Sequence, residues 1–164
     1  MLHHHERVDG TGYPDRLREA DLAPITQLAA VVEVFSAMTQ SRSYGRAAHP
    51  AQVAREILRE IGTAFEQGAA LALIQCVAVY PVGSAVQLNT GEYALVTSSA
   101  LGHAMRPNVR VFYDANGQRI RPYDLNMVEN SGYHITRYAS TLEELKSHPS
   151  SEKEGMEQLG EFAA

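Results

Sequence analysis

At Pro81-Val82-Gly83 the sequence changes period, and that change commits the chain to a mixed fold. Upstream, Ile25, Leu28, Val32 and Phe35 recur at helical spacing and give one apolar stripe. Pro50 suits a first helical position, and Val53, Ala54, Ile57, Leu58 and Ile61 follow as a second stripe that Gly62 should end. Thr63 and Glu66 have the spacing of a capping box. The run from Ala69 to Val79 has little polarity and predicts a third, well-buried helix. Downstream, short segments alternate: Val86 to Leu88, Glu92 to Thr97, Val109 to Tyr113, Gln118 to Arg121 and Tyr133 to Arg137. Asn89-Thr90-Gly91 and Asp114-Ala115-Asn116-Gly117 supply turns between them, and Asp124 also reads as a turn residue. The class is therefore α+β: a first part over 1–80 with a polar opening at 1–24 and three helices over 25–80, then a β-rich extension over 81–138 forming a small antiparallel sheet or partial barrel that leans on the helices. Residues 139–164 form a polar tail, with a short helix capped by Thr141 and Glu144 and disorder expected from Pro149.

Composition narrows the partners. The 164 residues make one ordinary domain or two small ones. A net charge of −5 and a pI near 5.8 argue against a DNA or RNA polymer as ligand, which needs clustered Lys and Arg. No run approaches the roughly 20 apolar residues of a bilayer-spanning helix, and no signal-peptide pattern opens the chain, so the expected location is cytoplasmic. Any membrane or sensor segment is expected upstream. The single Cys76 cannot form an internal disulfide, and its apolar neighbours predict a buried small hydrophobe. His49, His103, His134 and His148 have no partners at ligand spacing and read as structural or exposed.

The chemistry concentrates in the first 24 residues, which are polar and rich in turn formers. Gly10 and Gly12 permit positive φ and Pro14 fixes its own, so Asp9 to Pro14 forms a shaped loop. The stretch His4-His5-Glu6-Arg7-Val8-Asp9-Gly10-Thr11-Gly12-Tyr13-Pro14 resembles the HHExxDGxGYP signature of the HD-GYP family. Leu17, Leu22, the helix Gln27 to Met38, Arg42-Ser43-Tyr44-Gly45-Arg46-Ala47 and Gly62-Thr63-Ala64-Phe65 extend the likeness over about residues 3–80. The resemblance implies the C-terminal part of a helical domain that hydrolyses cyclic di-GMP in bacterial signalling with two or three divalent metal ions, iron or manganese. It makes His4 and His5 metal ligands and places Gly12, Tyr13 and Pro14 at the nucleotide. It assigns Arg42 and Arg46 to phosphate, where a guanidinium fork can hold two oxygens.

Three departures accompany it. Glu33 stands where the family usually has a ligating Asp, with a carboxylate displaced by one methylene. Arg46 replaces the more frequent Lys, and Glu66-Gln67 replaces Asp-Pro.

The family's His-Asp pair should lie upstream of Met1. The expectation is therefore that the chain by itself binds no proper metal centre and is inactive, while its intact parent is the phosphodiesterase. The alternative is a non-catalytic binding or regulatory module in which the GYP loop or the β-rich extension binds a nucleotide or a partner protein, a diguanylate-cyclase domain or another signalling partner. A third reading is a shortened product that regulates a complete enzyme by dimerising with it. Apolar faces around Val32 and Ile57, left bare, should make the chain a homo-oligomer.

Overall fold

The computed structural model describes residues 3–40, 47–99, 102–139 and 141–147. The chain divides into two compact units, Met1–Val77 and Ala78–Ala164. Among the described residues no helix is long and apolar enough to cross a membrane.

In the first unit a 3-10 turn at Glu19–Asp21 precedes α1 (Pro24–Thr39), α2 (Pro50–Arg59) and α3 (Gln67–Cys76). Pro24 and Pro50 each begin a helix, where the missing N–H has no intrahelical partner to lose. Ahead of α2, the His49 Nδ1 accepts the Ala51 N–H at 3.2 Å. Ala51, Val53, Ala54, Ile57 and Leu58 of α2 are buried. Val53 and Ile57 join Val31, Phe65, Ala70 and Leu73 in one core, with Phe35 packed against it. At the end of α2 the Glu60 carbonyl accepts the N–H groups of Thr63, Ala64 and Phe65. Gly62 takes φ +81 inside this turn, a conformation in which a Cβ is strained.

Four expectations are corrected here. On α1 the residues turned inward are Ala30 and Val31, while Ile25, Leu28 and Val32 are exposed. The helix is apolar on nearly every side, so spacing alone does not choose its inner face. Ile57 is 1% exposed and leaves no bare patch. Instead of a Thr63–Glu66 box, Glu66 is itself the N-cap of α3 and accepts the Gly68 and Ala69 N–H groups at 2.7 Å. Thr63 Oγ1 turns back to donate to the Glu60 carbonyl at 3.0 Å. Finally, α3 stops at Cys76, one side of it is exposed, and Cys76 lies on that side.

The second unit contains β1 (Ala85–Leu88), β2 (Tyr93–Ser98), β3 (Asn108–Tyr113), β4 (Arg119–Asn126) and β5 (Ile135–Ala139), followed by α4 (Leu142–Ser147). All pairs are antiparallel in the order β4-β3-β2-β1-β5. Period-2 burial explains the register. Ala94 lies opposite Val111 and Val96 opposite Val109, and all four are buried. On the other face Ala85 and Ala139 pack with Leu145 of α4, and the Glu144 N–H donates to Thr141 Oγ1 as expected for that cap.

Asp124 is not a turn residue. It sits in β4 opposite Arg110, whose Nε and Nη2 each donate to it at 2.7 Å. Those bonds lower the Asp124 pKa and raise that of Arg110. Asp114 does make the β3–β4 turn, accepting the Asn116 and Gln118 N–H groups. The disorder expected from Pro149 and the reading of His148 lie outside the described residues.

Candidate metal centre

The segment ahead of α1 has almost no regular structure, so its shape depends on individual hydrogen bonds. It is tied to the turn after α2: Val8 N donates to the Ala64 carbonyl at 3.4 Å and Asp9 N to that of Thr63 at 3.0 Å. Arg7 Nη2 reaches Glu60 Oε2 at 2.8 Å. Asp9 closes the next turn by accepting both the Thr11 hydroxyl, at 2.7 Å, and the Thr11 N–H, at 2.9 Å. These bonds, the hydroxyl first, hold the Asp9 carboxyl below the usual carboxylate range. Gly12 is buried, and a Cβ there would fall on the Glu6 Cα and the Arg7 N. Its lack of a side chain thus serves the loop's own folding.

The two histidines sit on this tied segment. Glu6 N donates to the His3 carbonyl at 3.0 Å and Tyr13 N to that of His5 at 3.3 Å, while His3 Nε2 lies 2.9 Å from Asp15 Oδ2. These bonds hold the segment that carries both histidines. The His4 and His5 rings are 4.0 Å apart. Glu33, on α1, brings Oε2 to 3.4 Å from His4 Nε2. One donor atom from each of His4, His5 and Glu33 lies within 4.8 Å of the other two. Two imidazoles and a carboxylate suit a first-row transition metal ion, so this donor set fits the group the resemblance implies.

The donors open on a cleft of about 350 Å³ whose walls include Tyr13, Val34, Ala64 and Phe65. Tyr13 is 60% exposed and stacks on His5, with ring centroids 4.8 Å apart and planes 23° from parallel. Pro14 is exposed beside it. Arg42 and Arg46 lie outside the described residues. Sequence reasoning assigned no part to Glu6, Arg7, Glu60 or Phe65. Glu6 and Val8 are buried on alternate positions, which only the folded loop reveals.

Residues 1–66 match the HD domain family, and residues 85–148 match a KOW domain associated with HD domain. A cyclic di-GMP phosphodiesterase of Pseudomonas aeruginosa is 33% identical over 117 residues, 71% of this chain and 28% of that protein. The helical unit matches the HD domain family, consistent with an HD-GYP family member. A 3'3'-cGAMP-specific phosphodiesterase of Vibrio cholerae is 36% identical over 63 residues, 38% of this chain and 12% of its own length. A cyclic di-GMP phosphodiesterase response regulator of Xanthomonas campestris is 44% identical over 46 residues, 28% and 12% of the two chains. No solved structure matches. The chain therefore spans under a third of the length of the curated relatives it matches.

Proposed function

We propose that residues 1–80 are the C-terminal part of a metal-dependent phosphodiesterase domain acting on cyclic di-GMP, with 81–138 as its β-rich extension and 139–164 as a tail. The observation that carries this reading is the convergence of His4, His5 and Glu33 on a cleft that Tyr13 also lines. Names of the Pseudomonas and Xanthomonas relatives support the substrate class and the phosphodiester chemistry.

His4, His5 and Glu33 would hold a divalent ion, iron or manganese. When bound, such an ion neutralises charge on a phosphodiester and lowers the pKa of water beside it. Tyr13 and Pro14 border the nucleotide on the open side, and Arg42 and Arg46 bind its phosphates. Two-metal chemistry sets its ions about 3.5–4 Å apart, and three donors suffice for one ion. Further ligands must come from helices that complete the domain, so the 164-residue chain by itself turns over cyclic di-GMP at no more than background.

The test is a chimera that joins this chain to the preceding part of the Pseudomonas relative. It should hydrolyse cyclic di-GMP with added iron or manganese, lose that activity on His5→Ala, and keep or gain rate on Glu33→Asp. Turnover that ignores His5→Ala rejects the site. Binding of cyclic di-GMP without turnover, together with capture of a diguanylate-cyclase domain by the GYP loop, would put a regulatory module in its place.

A further inference from the structure

Glu6 is the one acidic residue of the signature buried from solvent, at 4% exposure, and it is outside the ligand set. A carboxylate is kept from water only where hydrogen bonds replace its hydration. Here they come from the far end of the loop. Asp15 N donates to Oε1 at 2.6 Å and Leu17 N to Oε2 at 3.2 Å. The chain thus leaves Glu6, passes through Gly12 pressed against the Glu6 backbone, and returns to the Glu6 side chain. Tyr13 lies between these two fixings. At 60% exposure its ring is not held by core packing. What sets it on His5 is the backbone on either side: the Tyr13 N–H on the His5 carbonyl before it, and the Glu6 clamp after it.

We propose that Glu6 is a positioning residue. By anchoring residues 15–17 it holds Tyr13 against His5 and so fixes the orientation in which the His5 imidazole meets a metal ion. Metal-binding imidazoles depend on neighbours that set ring orientation. A ring stacked on the imidazole face does this while leaving both nitrogens available. The inference rests on the reading of His4, His5 and Glu33 as ligands, and its test separates the two.

The full chain is studied without metal by histidine ring NMR and then titrated with Mn²⁺ by calorimetry, beside thermal unfolding. In the parent chain the His5 ring protons should show the upfield shift that a stacked tyrosine imposes. Glu6→Gln keeps the size but replaces one acceptor with an NH₂ facing a backbone donor. It should erase that shift and weaken Mn²⁺ binding about 10-fold, at the low end of what losing an orienting neighbour does. Tyr13→Leu, which leaves the Glu6 clamp in place, should do the same with little change in melting temperature. That second variant decides the matter if Glu6→Gln does not fold. Unchanged His5 shifts and Mn²⁺ affinity in Tyr13→Leu, or in a folded Glu6→Gln whose melting temperature alone falls, would overturn the proposal. Mn²⁺ affinity that survives His4→Ala and Glu33→Ala would sink the ligand reading instead.

Discussion

Single residues decide whether the loop ahead of α1 holds its shape. Gly12→Ala puts a methyl on the backbone of Glu6 and Arg7, atoms that cannot swing aside. It should lower the stability of the helical unit by about 1–3 kcal/mol, the usual cost of overpacking, as read by thermal unfolding. The signature names His4 and His5 outright, since their residue type carries their chemistry. It does not reveal the part of Glu6, because a carboxylate in a polar loop ordinarily faces water and only the closed loop shows otherwise. Tyr123 offers a pH test in the other unit. Desolvation first, and then its 2.8 Å hydrogen bond to Glu92, push its pKa up to about 12. A raised folded-state pKa means that this contribution to stability is complete below the ordinary tyrosine value near 10 and is lost as pH climbs from there through about 12. A tyrosinate absorbance titration should show a late contribution from Tyr123 that is lost in Tyr123→Phe. Glu92→Gln should move it part of the way down, because the partial desolvation of the ring remains.

Secondary-structure elements were legible in proportion to how uneven their faces are. On α2, Arg55, Glu56 and Arg59 oppose Val53, Ala54, Ile57 and Leu58, so the inner face could be read directly. On α1 the apolar residues surround the helix, and of the stripe chosen from spacing Ile25, Leu28 and Val32 lie outward while Phe35 packs on the core. The strands were legible through period-2 alternation, yet β4 runs on to Asn126 past the expected Arg121, because Asp124 and Arg110 pair across the ladder and extend it. The start of α3 was misjudged through its cap. A Glu carboxylate can fold back on the N–H groups two and three residues on, here those of Gly68 and Ala69, and needs no Thr partner. Glu66→Ala should therefore destabilise the unit by about 1 kcal/mol, as loss of an N-cap does, while Thr63→Ala should cost less. Equal losses for the two in chemical denaturation would restore the capping box. Ile57→Ala should cost far more, about 2–5 kcal/mol, since it empties the centre of the helical core.

At the scale of the whole molecule, the helical unit has one surface that its own fold does not use. Ile25, Leu28 and Val32 follow one another at intervals of three and four along α1, so they lie on one side of it, and all three are exposed. Contiguous exposed apolar surface drives association in water, and the chain should therefore be a dimer or larger at micromolar concentration by light scattering. Ile57, which sequence reasoning added to that surface, takes no part because it is buried. The replacement that isolates the cause is Leu28→Gln with Val32→Gln. Glutamine propagates a helix at least as well as valine, and neither position belongs to the core, so helical content and melting temperature should hold while the mass falls to that of a monomer. A parent chain already monomeric at that concentration sinks the idea. So does a double variant that stays associated, which would move the contact to a surface other than the outer side of α1.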